Sequence, residues 1–546
     1  MSTREILSLQ FGHYSNFVGA HFWNTQELSF DYTGTVKTEI NHDILYREGQ
    51  TLNSEVTYTP RLLLADVKGA LKTLPESGGL PDESEFEQSN IQWEAVEKIE
   101  EPTPHKNKYL KDIDSEHPLD VEAKEYNFED NVQTWTDFLY PRLHSRSVNI
   151  VKEYQQGSDK ESFDIYNSGK SVWKSDFGDN FSDNIRKYVE ECDSMQGFQV
   201  NFDCIDGFAG LALGCIEHLA DEYTKPILVY PIIPSYFPDT NPSNQSERDT
   251  SNLKDSTRLV NMALSIQEMS DHASLFVPMC TGEKGWRKPG NPRLFEHLNY
   301  NPQLYYHSSA ILAAAIDTLG QKYRLKSNIY TLSDLCADMT GYGRKMAAAS
   351  LRIPFAMNES QYLIEHLNET TKPIYTSITP SCKIATDKIF QLVTVRGVPE
   401  SHLKAPLKEA KEQMNIPAYR CNNVKEMFEL YFQANNFLSA TNVTVCEKPL
   451  ELKTPFPKIF SNNLNKYGFV DNNNQSKRVE TCPVIAGHHN GNFLADMIEK
   501  LHRDVSRIKF AKLHKFREEG LEAAEFSESL DKLSEFKDNY EDDFEL

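Results

Sequence analysis

Residues 196–214, QGFQVNFDCIDGFAGLALG, place a strand, a sharp loop and a helix directly after one another. Apolar and polar residues alternate along the first part, and this period of two predicts a pleated strand. The apolar positions of the alternation are Phe198, Val200, Phe202 and Cys204. Many α/β proteins cradle a nucleotide phosphate at such a junction, because backbone N–H groups at a helix N-terminus bind anions.

The loop of this segment lacks the composition that a phosphate-binding turn requires. Such a turn needs residues without Cβ, so that φ can be positive and backbone N–H groups can approach the anion. The positions that glycine would fill carry Ile205, Asp206, Phe208 and Leu211. Bulky side chains and a carboxylate therefore occupy the position where a phosphate would bind.

The charge balance excludes one class of partner. Lys and Arg number 57 against 80 Asp and Glu, which gives a net charge of −23 and argues against nucleic acid as a partner. The acidity is concentrated in residues 82–130 and in the C-terminal stretch EFKDNYEDDFEL. We interpret 75–130, which is rich in acid, Pro and Ser, as an insertion that is largely disordered or loosely docked.

The cysteine pattern and the apolar stretches indicate the compartment. Nine scattered cysteines without a CxxC pair predict reduced thiols and no zinc site. His488 and His489 in GHHNGN lack a third ligand at helical spacing, so we interpret them as loop residues.

The longest apolar stretches fall short of the roughly 20 residues that span a bilayer, so any membrane contact is expected to be peripheral. We expect a cytosolic location that includes the outer surfaces of organelles.

The first half of the chain reads as repeated strand–helix units. A strand at residues 6–9 precedes the turn GHYSN and a helix that is expected to start near Asn16. The apolar run RLLLADVKG at 61–69 predicts a covered parallel strand, with Asp66 at the carboxyl end, where α/β sheets place ligand groups. A helix capped by Ser182 or Asp183 precedes the strand of residues 196–204, and KPILVYPII then predicts the next parallel strand.

The second half mixes helices and strands in a different order. We expect a polar loop over 238–257, and then a helix in RLVNMALSIQEMSDHASL. LCADMTGYGRKMAAASLR is interpreted as helical, and IYTSITP, IFQLVTVRGV and ATNVTVCEK as strands, which indicates an α+β domain. The chain closes with two amphipathic helices around Gly520 and an acidic tail. The tail is interpreted as a solvated end, with recruitment of basic partners or tubulin-handling chaperones as the alternative.

Five segments in this order resemble the tubulin superfamily across nearly the whole chain. They are REILSLQFGHYSNFVGAHFW, YTPRLLLADVKG, ECDSMQGFQ, LSDLCADMTGYGRKMAAASLRIPFAMN and KFREEGLEAAEFSESLDKLSEF. Within that superfamily, the opening motif together with the acidic insertion resembles the Misato family. The resemblance implies an α/β, tubulin-like fold: a Rossmann-like N-terminal domain with a parallel sheet, an α+β second domain and a C-terminal helical hairpin.

The resemblance also implies domain boundaries. We expect the nucleotide-binding-type domain over 1–262, a connecting helix and loop over 263–298, and the α+β domain over 299–480. The C-terminal helices then occupy 481–535, and the acidic tail occupies 536–546.

The tubulin resemblance marks a vestigial guanine-nucleotide site. Asn261 matches an asparagine that contacts the guanine base, and the two glycines of IDGFAGL match small positions of the phosphate loop. The residues that would bind GTP or GDP are Gly12, Asn16, Asp66, Gly207, Gly210 and Asn261.

The elements that hydrolysis needs are incomplete. Phosphoryl transfer depends on positioning and charge stabilisation, so a cradle without its donors is expected to be nearly inert. One tubulin loop carries acidic residues that activate hydrolysis of the nucleotide on a neighbouring subunit. In the corresponding segment here, Asn358 matches tubulin, whereas Ser360 and Leu363 occupy the positions of the acidic residues. We therefore expect no enzyme activity, no catalytic residue and no bound cofactor, with residual GTP or GDP binding as the alternative.

The Misato resemblance implies a role in mitochondrial distribution, morphology and inheritance, exerted through protein surfaces. Tubulin or the cytosolic chaperonin are the implied partners, and peripheral association with the mitochondrial outer membrane is the implied location besides the cytoplasm. Two alternatives stay open: a GTP-binding switch or polymerising protein, and a factor that supports tubulin folding and spindle microtubule assembly.

Overall fold

A computed structural model describes residues 4–30, 38–50, 56–79, 105–115, 121, 124–158, 160–240, 245–370, 373–385, 388–404, 416–435, 439–471 and 478–541. Two mixed α/β regions, each built on its own sheet, and a helical C-terminal region make up this part of the chain. The tubulin-like fold class is thereby confirmed.

The first sheet has seven strands, and all of its pairings are parallel. The strands of this half, in chain order, are β1 (Ile6–Phe11), β2 (Tyr46–Gln50), β3 (Val56–Pro60), β4 (Leu62–Lys68), β5 (Val148–Gln155), β6 (Gly197–Asp203), β7 (Ile227–Ile233), β8 (Leu275–Phe276) and β9 (Met279–Cys280). The sheet order is β5-β4-β1-β6-β7-β8, with β9 also on β7, while β2 and β3 form a separate hairpin. The chain reverses its direction of travel across the sheet between β1 and β6, which makes that crevice the expected ligand position.

The central strands are covered on both faces. Every residue of β1, β6 and β7 is buried, including the polar members of the alternation in β6. Helices account for this burial, because parallel strands are joined by crossover helices that pack on both sides of the sheet. The helices of this half are α1 (His13–Leu28), α2 (Lys108–Ser115), α3 (Phe128–Asn131), α4 (Tyr166–Trp173), α5 (Asp176–Glu190), α6 (Gly207–Glu222) and α7 (Gln245–His272).

Several expected boundaries in this half were wrong. Helix α1 begins at His13 rather than near Asn16. Helix α5 begins at Asp176, because Ser175 caps it by accepting the N–H of Phe177 at 3.3 Å. The stretch 245–257, predicted as a polar loop, is the exposed first half of the 28-residue helix α7.

The second sheet has five strands in the order β11-β10-β16-β12-β13, with parallel and antiparallel pairs. The remaining strands are β10 (Ala348–Arg352), β11 (Thr376–Ser377), β12 (Phe390–Arg396), β13 (Ala440–Cys446), β14 (Leu450–Glu451), β15 (Thr481–Cys482) and β16 (Val484–Asn490). The remaining helices are α8 (Tyr305–Arg324), α9 (Leu332–Met339), α10 (Leu363–Glu369), α11 (Val424–Asn435), α12 (Phe493–Ser506), α13 (His514–Glu518) and α14 (Ala523–Asp538).

The predicted domain boundaries stay a prediction, and elements near them pack across the two halves. Helix α8 joins the two halves, because it packs against α1 on one side and against β12 and β16 on the other. Residues 275–280, expected in a connector, belong to the first sheet, and β16 within 481–535 belongs to the second. Residues 348–352, predicted as helical, form β10, and the histidine pair of GHHNGN lies in β16 rather than in a loop.

The C-terminal helices α12 and α14 pack on each other and on α7, as a hairpin broken at Gly520. The described part of the tail predicted over 536–546 is exposed at Asp538, Asn539 and Glu541 but packed at its aromatic residues. Tyr540 is completely buried; its hydroxyl accepts the N–H of Met346 at 2.7 Å and donates to the carbonyl of Met346 at 2.8 Å. Residues 542–546 lie outside the described residues.

The predicted insertion is partly docked. Tyr109, Val121 and Phe128 are buried in the same hydrophobic cluster as α1 and α8, so this part of 75–130 does not match the predicted loose docking. Residues 80–104, 116–120 and 122–123 lie outside the described residues. Among the described helices, none combines the length and hydropathy needed to cross a bilayer.

Candidate functional site

A cleft of about 480 Å³ opens at the carboxyl ends of β1, β6 and β7, where the crevice between β1 and β6 predicts a ligand site. Its floor is formed by the start of α1 and the loop between β6 and α6. Tyr305, at the start of α8, forms an aromatic wall with Tyr14, the ring centroids lying 4.8 Å apart. Residues 512–516 of the C-terminal region close another side.

The N-terminus of α1 is occupied by a carboxylate of the chain itself. Asp203, the last residue of β6, accepts the N–H of Tyr14 at 2.9 Å with Oδ2 and the N–H of Ser15 at 2.8 Å with Oδ1. Gly12 precedes the helix with φ 109°, and a Cβ on Gly12 would lie 2.5 Å from Asp203 Oδ2. Glycine is therefore needed at position 12 to admit the Asp203 carboxylate, which takes the donors that a phosphate would use.

The N-terminus of α6 is capped in the same way. Asp206 accepts the N–H of Phe208 at 2.9 Å, so the residue predicted to obstruct the loop is the N-cap of the helix. Phe208 and Leu211, predicted as loop residues, lie in the first turns of α6 and are buried. The phosphate-loop position is thus a tight turn of 204–206.

The glycines of IDGFAGL serve helix packing. Helix α4 crosses α6 at close range, and a Cβ on Gly210 would lie 1.8 Å from the carbonyl oxygen of Tyr166. A Cβ on Gly207 would lie 2.9 Å from the ring of Phe163. Neither glycine has a positive φ, and neither lines the cleft.

Asp66 and Asn16 meet beneath the start of α1. Asp66 is completely buried, and its Oδ2 accepts the side-chain amide N–H of Asn16 at 3.0 Å and the indole N–H of Trp135 at 2.9 Å. Asn16 also donates to the carbonyl of Ala65 at 3.1 Å. The Asp66 carboxylate and the Asn16 amide N–H groups are engaged by protein groups, whereas the Asn16 Oδ1 is buried without a partner among the described residues. Trp135 supplies a donor that sequence reasoning missed.

Asn261 lies apart from the cleft. It is completely buried in α7, where its amide donates to the carbonyls of Asp164 at 2.7 Å and Ile205 at 2.8 Å. Its oxygen accepts the N–H of Tyr166 at 3.0 Å. Asn261 therefore fixes the turn before α6 and the start of α4, and its amide has no donor left for a base.

Burial perturbs the two carboxyl groups at the floor of the cleft. Burial raises the pKa of Asp203 to about 8, although the N–H groups of Tyr14 and Ser15 oppose the shift. Burial and the Asp203 charge also raise the pKa of Asp206. Both carboxyls are thus held toward their neutral form, and a triphosphate placed beside them would strengthen that preference.

The cations of the cleft are partly committed to protein partners. The Arg258 guanidinium stacks on Phe237 with its central carbon 4.0 Å from the ring centroid and pairs with Asp239 at 2.6 Å. Lys515 lies 3.4 Å from Asp164. Lys254 also lines the cleft.

The remaining sequence candidates lie elsewhere. Asn358 is exposed in the loop after β10, and Leu363 is buried at the start of α10. His489 accepts or donates at 2.7 Å to Ser350, and burial lowers the pKa of both His488 and His489 to about 3, so both are neutral core residues. Among the residues that the structure describes, no group of three or more His, Cys, Asp or Glu is arranged to hold a metal ion.

Sequence reasoning missed Asp203, Trp135 and the segment 512–516. The position of Asp203 could have been predicted. It ends a buried parallel strand, so its carboxyl group lies at the crevice where the adjacent strand ends in a glycine turn. Trp135 and residues 512–516 carried no such signal, since their contacts join parts of the chain far apart in sequence.

Comparison with known proteins agrees with this architecture. Residues 4–115 match the family model of the Misato segment II tubulin-like domain, and residues 126–325 match that of the tubulin domain. The chain is 36% identical to Protein misato of Drosophila melanogaster, with 99% of each chain covered. It is 30% identical to Protein misato homolog 1 of Danio rerio, with 97% of this chain and 95% of the relative covered. Identity to the Homo sapiens homolog is 29%, with 98% of each chain covered.

Proposed function

Because the chain belongs to the Misato family of tubulin-like proteins, we propose that it is a non-catalytic member, a tubulin-shaped scaffold that acts in mitochondrial distribution, morphology and inheritance. It works through protein surfaces, with tubulin or the cytosolic chaperonin as partners. It associates peripherally with the mitochondrial outer membrane from the cytoplasm. The family resemblance supports this cellular role.

One observation carries the non-catalytic part of the proposal. The Asp203 side chain accepts two of the free N–H groups in the first turn of α1, those of Tyr14 and Ser15, at 2.9 and 2.8 Å, where a nucleotide phosphate would otherwise be bound. A helix N-terminus offers only a few such donors, and a covalently attached acceptor does not dissociate from them. Catalysis of phosphoryl transfer needs those donors for the transferring group.

The direct test is nucleotide content and hydrolysis. The purified full chain is denatured, and the supernatant is analysed for GTP and GDP; titration with GTP and Mg²⁺ and a phosphate-release assay follow, with tubulin as the positive control. We expect no released nucleotide, no titration heat and no phosphate release. Stoichiometric GTP, or hydrolysis above the buffer rate, would refute the proposal in favour of a GTP-binding switch.

A matched pair of variants tests the role of Asp203 itself. Asp203→Ala removes a carboxyl group and frees two helix donors, whereas Asp164→Ala removes a carboxyl group from the same cleft without freeing a helix N-terminus. We expect Asp203→Ala alone to gain affinity for pyrophosphate. Equal affinity of the two variants would mean that Asp203 does not occupy the anion position.

The proposed role in mitochondrial distribution and morphology is tested by a separate experiment in cells. Cells depleted of the protein are expected to show an altered mitochondrial network that the wild-type chain restores. The Asp164→Ala variant is also expected to restore the mitochondrial network, because it leaves the hydrogen bonds of Asp203 to α1 in place. A normal mitochondrial network after depletion, together with loss of assembled tubulin, would favour the tubulin-folding alternative.

A further inference from the structure

A second groove, of about 910 Å³, opens at the edge of the five-stranded sheet. It is bordered by the edge strand β11, by residues 293–296 and 382–385, and by the last turns of α11. None of these residues lines the cleft described above. The groove is therefore a separate surface of the second domain.

Strand β11 offers unpaired backbone groups to this groove. Among the described residues, β11 pairs only with β10. Ile378 donates its N–H to Ala349 at 2.8 Å, and alternate residues of an antiparallel strand point their backbone groups to opposite sides. The N–H and C=O of Ser377 therefore point away from β10. A free sheet edge of this kind pairs with extended segments of other chains.

The side chains around the edge are cationic. Lys383 is exposed and forms no ion pair within the described residues. Arg293 donates to the carbonyl of Thr379 at 2.6 Å, and its Nε is buried without a partner. Arg352 contributes a third cation, which pairs with Glu296. Three cations and one carboxylate, that of Glu296, therefore line the groove of a chain with net charge −23.

The groove also has apolar positions between the cations. Leu294 is 89% exposed beside it, although large apolar side chains are normally covered. Ile374 and Phe432 form part of the lining. A bound segment would thus meet both apolar side chains and positive charge.

We propose that this groove binds an extended acidic peptide of a partner protein, which adds a strand beside β11. Backbone hydrogen bonds to the free edge hold the strand, and its carboxylates pair with Lys383, Arg293 and Arg352. Apolar side chains of the peptide contact Leu294 and Ile374. Charge complementarity selects an acidic partner over a basic one.

The test uses the full chain and a fluorescein-labelled twelve-residue peptide of alternating Glu and Val, with binding followed by fluorescence anisotropy. A peptide with Lys in place of Glu tests charge, and a fully N-methylated version of the Glu peptide tests backbone pairing. We expect binding of the Glu peptide only, weakened by 0.5 M NaCl. Hydrogen exchange is expected to slow at residues 374–378 in the complex.

A matched pair of variants locates the site. Lys383→Glu reverses an exposed charge in the groove and is expected to weaken binding about tenfold. Lys532→Glu makes the same change on the exposed surface of α14 and is expected to leave binding unchanged. Both positions are on the surface, so both variants are expected to fold.

Three results would overturn the proposal. They are failure of the Glu peptide to bind, equal binding of the N-methylated peptide, and an unchanged affinity of Lys383→Glu. A chain that ends at residue 541 is the last control. Binding to that chain but not to the full chain would show that the groove's occupant is the protein's own acidic C-terminus, not a partner.

Discussion

Asp317→Asn is expected to destabilise the protein strongly, because the Asp317 carboxylate lies between two buried guanidinium groups. It lies on α8 and pairs with Arg324 at 2.6 Å and with Arg396 of β12 at 2.5 Å. It also accepts the amide N–H of Gln26 from α1 at 2.7 Å. The group thus ties α1, the joining helix and the second sheet together.

The magnitude follows from burial and charge. Burial alone would raise the pKa of Asp317, but Arg396 and Arg324 outweigh it and lower the pKa from 3.8 to about 2. That shift corresponds to about 2 kcal/mol in favour of the folded state at neutral pH. Asparagine in its place leaves two buried cations without a counter-charge, which costs about 3–5 kcal/mol.

The pH dependence has a defined sign. Since the folded pKa lies below the ordinary value, the stabilisation by Asp317 is present above about pH 4 and is lost as the pH falls through about 2. The difference in stability between the wild type and Asp317→Asn is therefore expected to be full at pH 7 and to shrink below pH 4.

Urea unfolding followed by tryptophan fluorescence measures this difference at pH 7 and pH 3. The control is Asp183→Asn, which removes a carboxylate from an exposed pair with Arg186 and Lys187 on α5. That control is expected to leave the unfolding midpoint unchanged, because exposed pairs contribute little. An Asp317→Asn midpoint equal to the wild type at pH 7, or a difference from the wild type as large at pH 3 as at pH 7, would refute the reasoning.

Three further predictions concern single contacts. Tyr540→Phe leaves both backbone groups of Met346 without their partner and is expected to cost about 1–3 kcal/mol, with faster proteolysis of the C-terminal helices. Gly12→Ala is expected to destabilise the chain, and a double-mutant cycle with Asp203→Ala should show that the second change relieves part of the cost, because the two side chains overlap. Asn261→Ala removes three buried hydrogen bonds and is expected to lower the melting temperature without changing pyrophosphate affinity.

The sequence predicted the first sheet well because its strands carry local signals. Both β4 and β6 show apolar runs or alternation that burial on two faces explains. Prediction failed where local composition opposed the tertiary context. The alanine run before Arg352 favours a helix by propensity, yet pairing with β16 makes it a strand. Gly and Asn around the histidine pair indicated a loop, yet β16 is the central strand of its sheet.

The sequence predicted where the site lies but not which side chains fill it. The glycine turn after β1 and the strand–loop–helix at β6 identified the crevice from sequence. What fills it depends on contacts between residues far apart, such as the bond of Asp203 to Tyr14, 189 positions away. Asp66 with Trp135 is a second case, across 69 positions. No local pattern encodes such pairings.

The Asp203 cap changes what this fold depends on. A protein that relies on a bound ligand gains stability in proportion to the logarithm of ligand concentration, so its folded population follows the cell's supply. Here the hydrogen-bond acceptor at α1 is part of the polypeptide, and its local concentration is fixed by the pairing of β1 with β6. The folded population is consequently expected to be insensitive to the cellular level of guanine nucleotides.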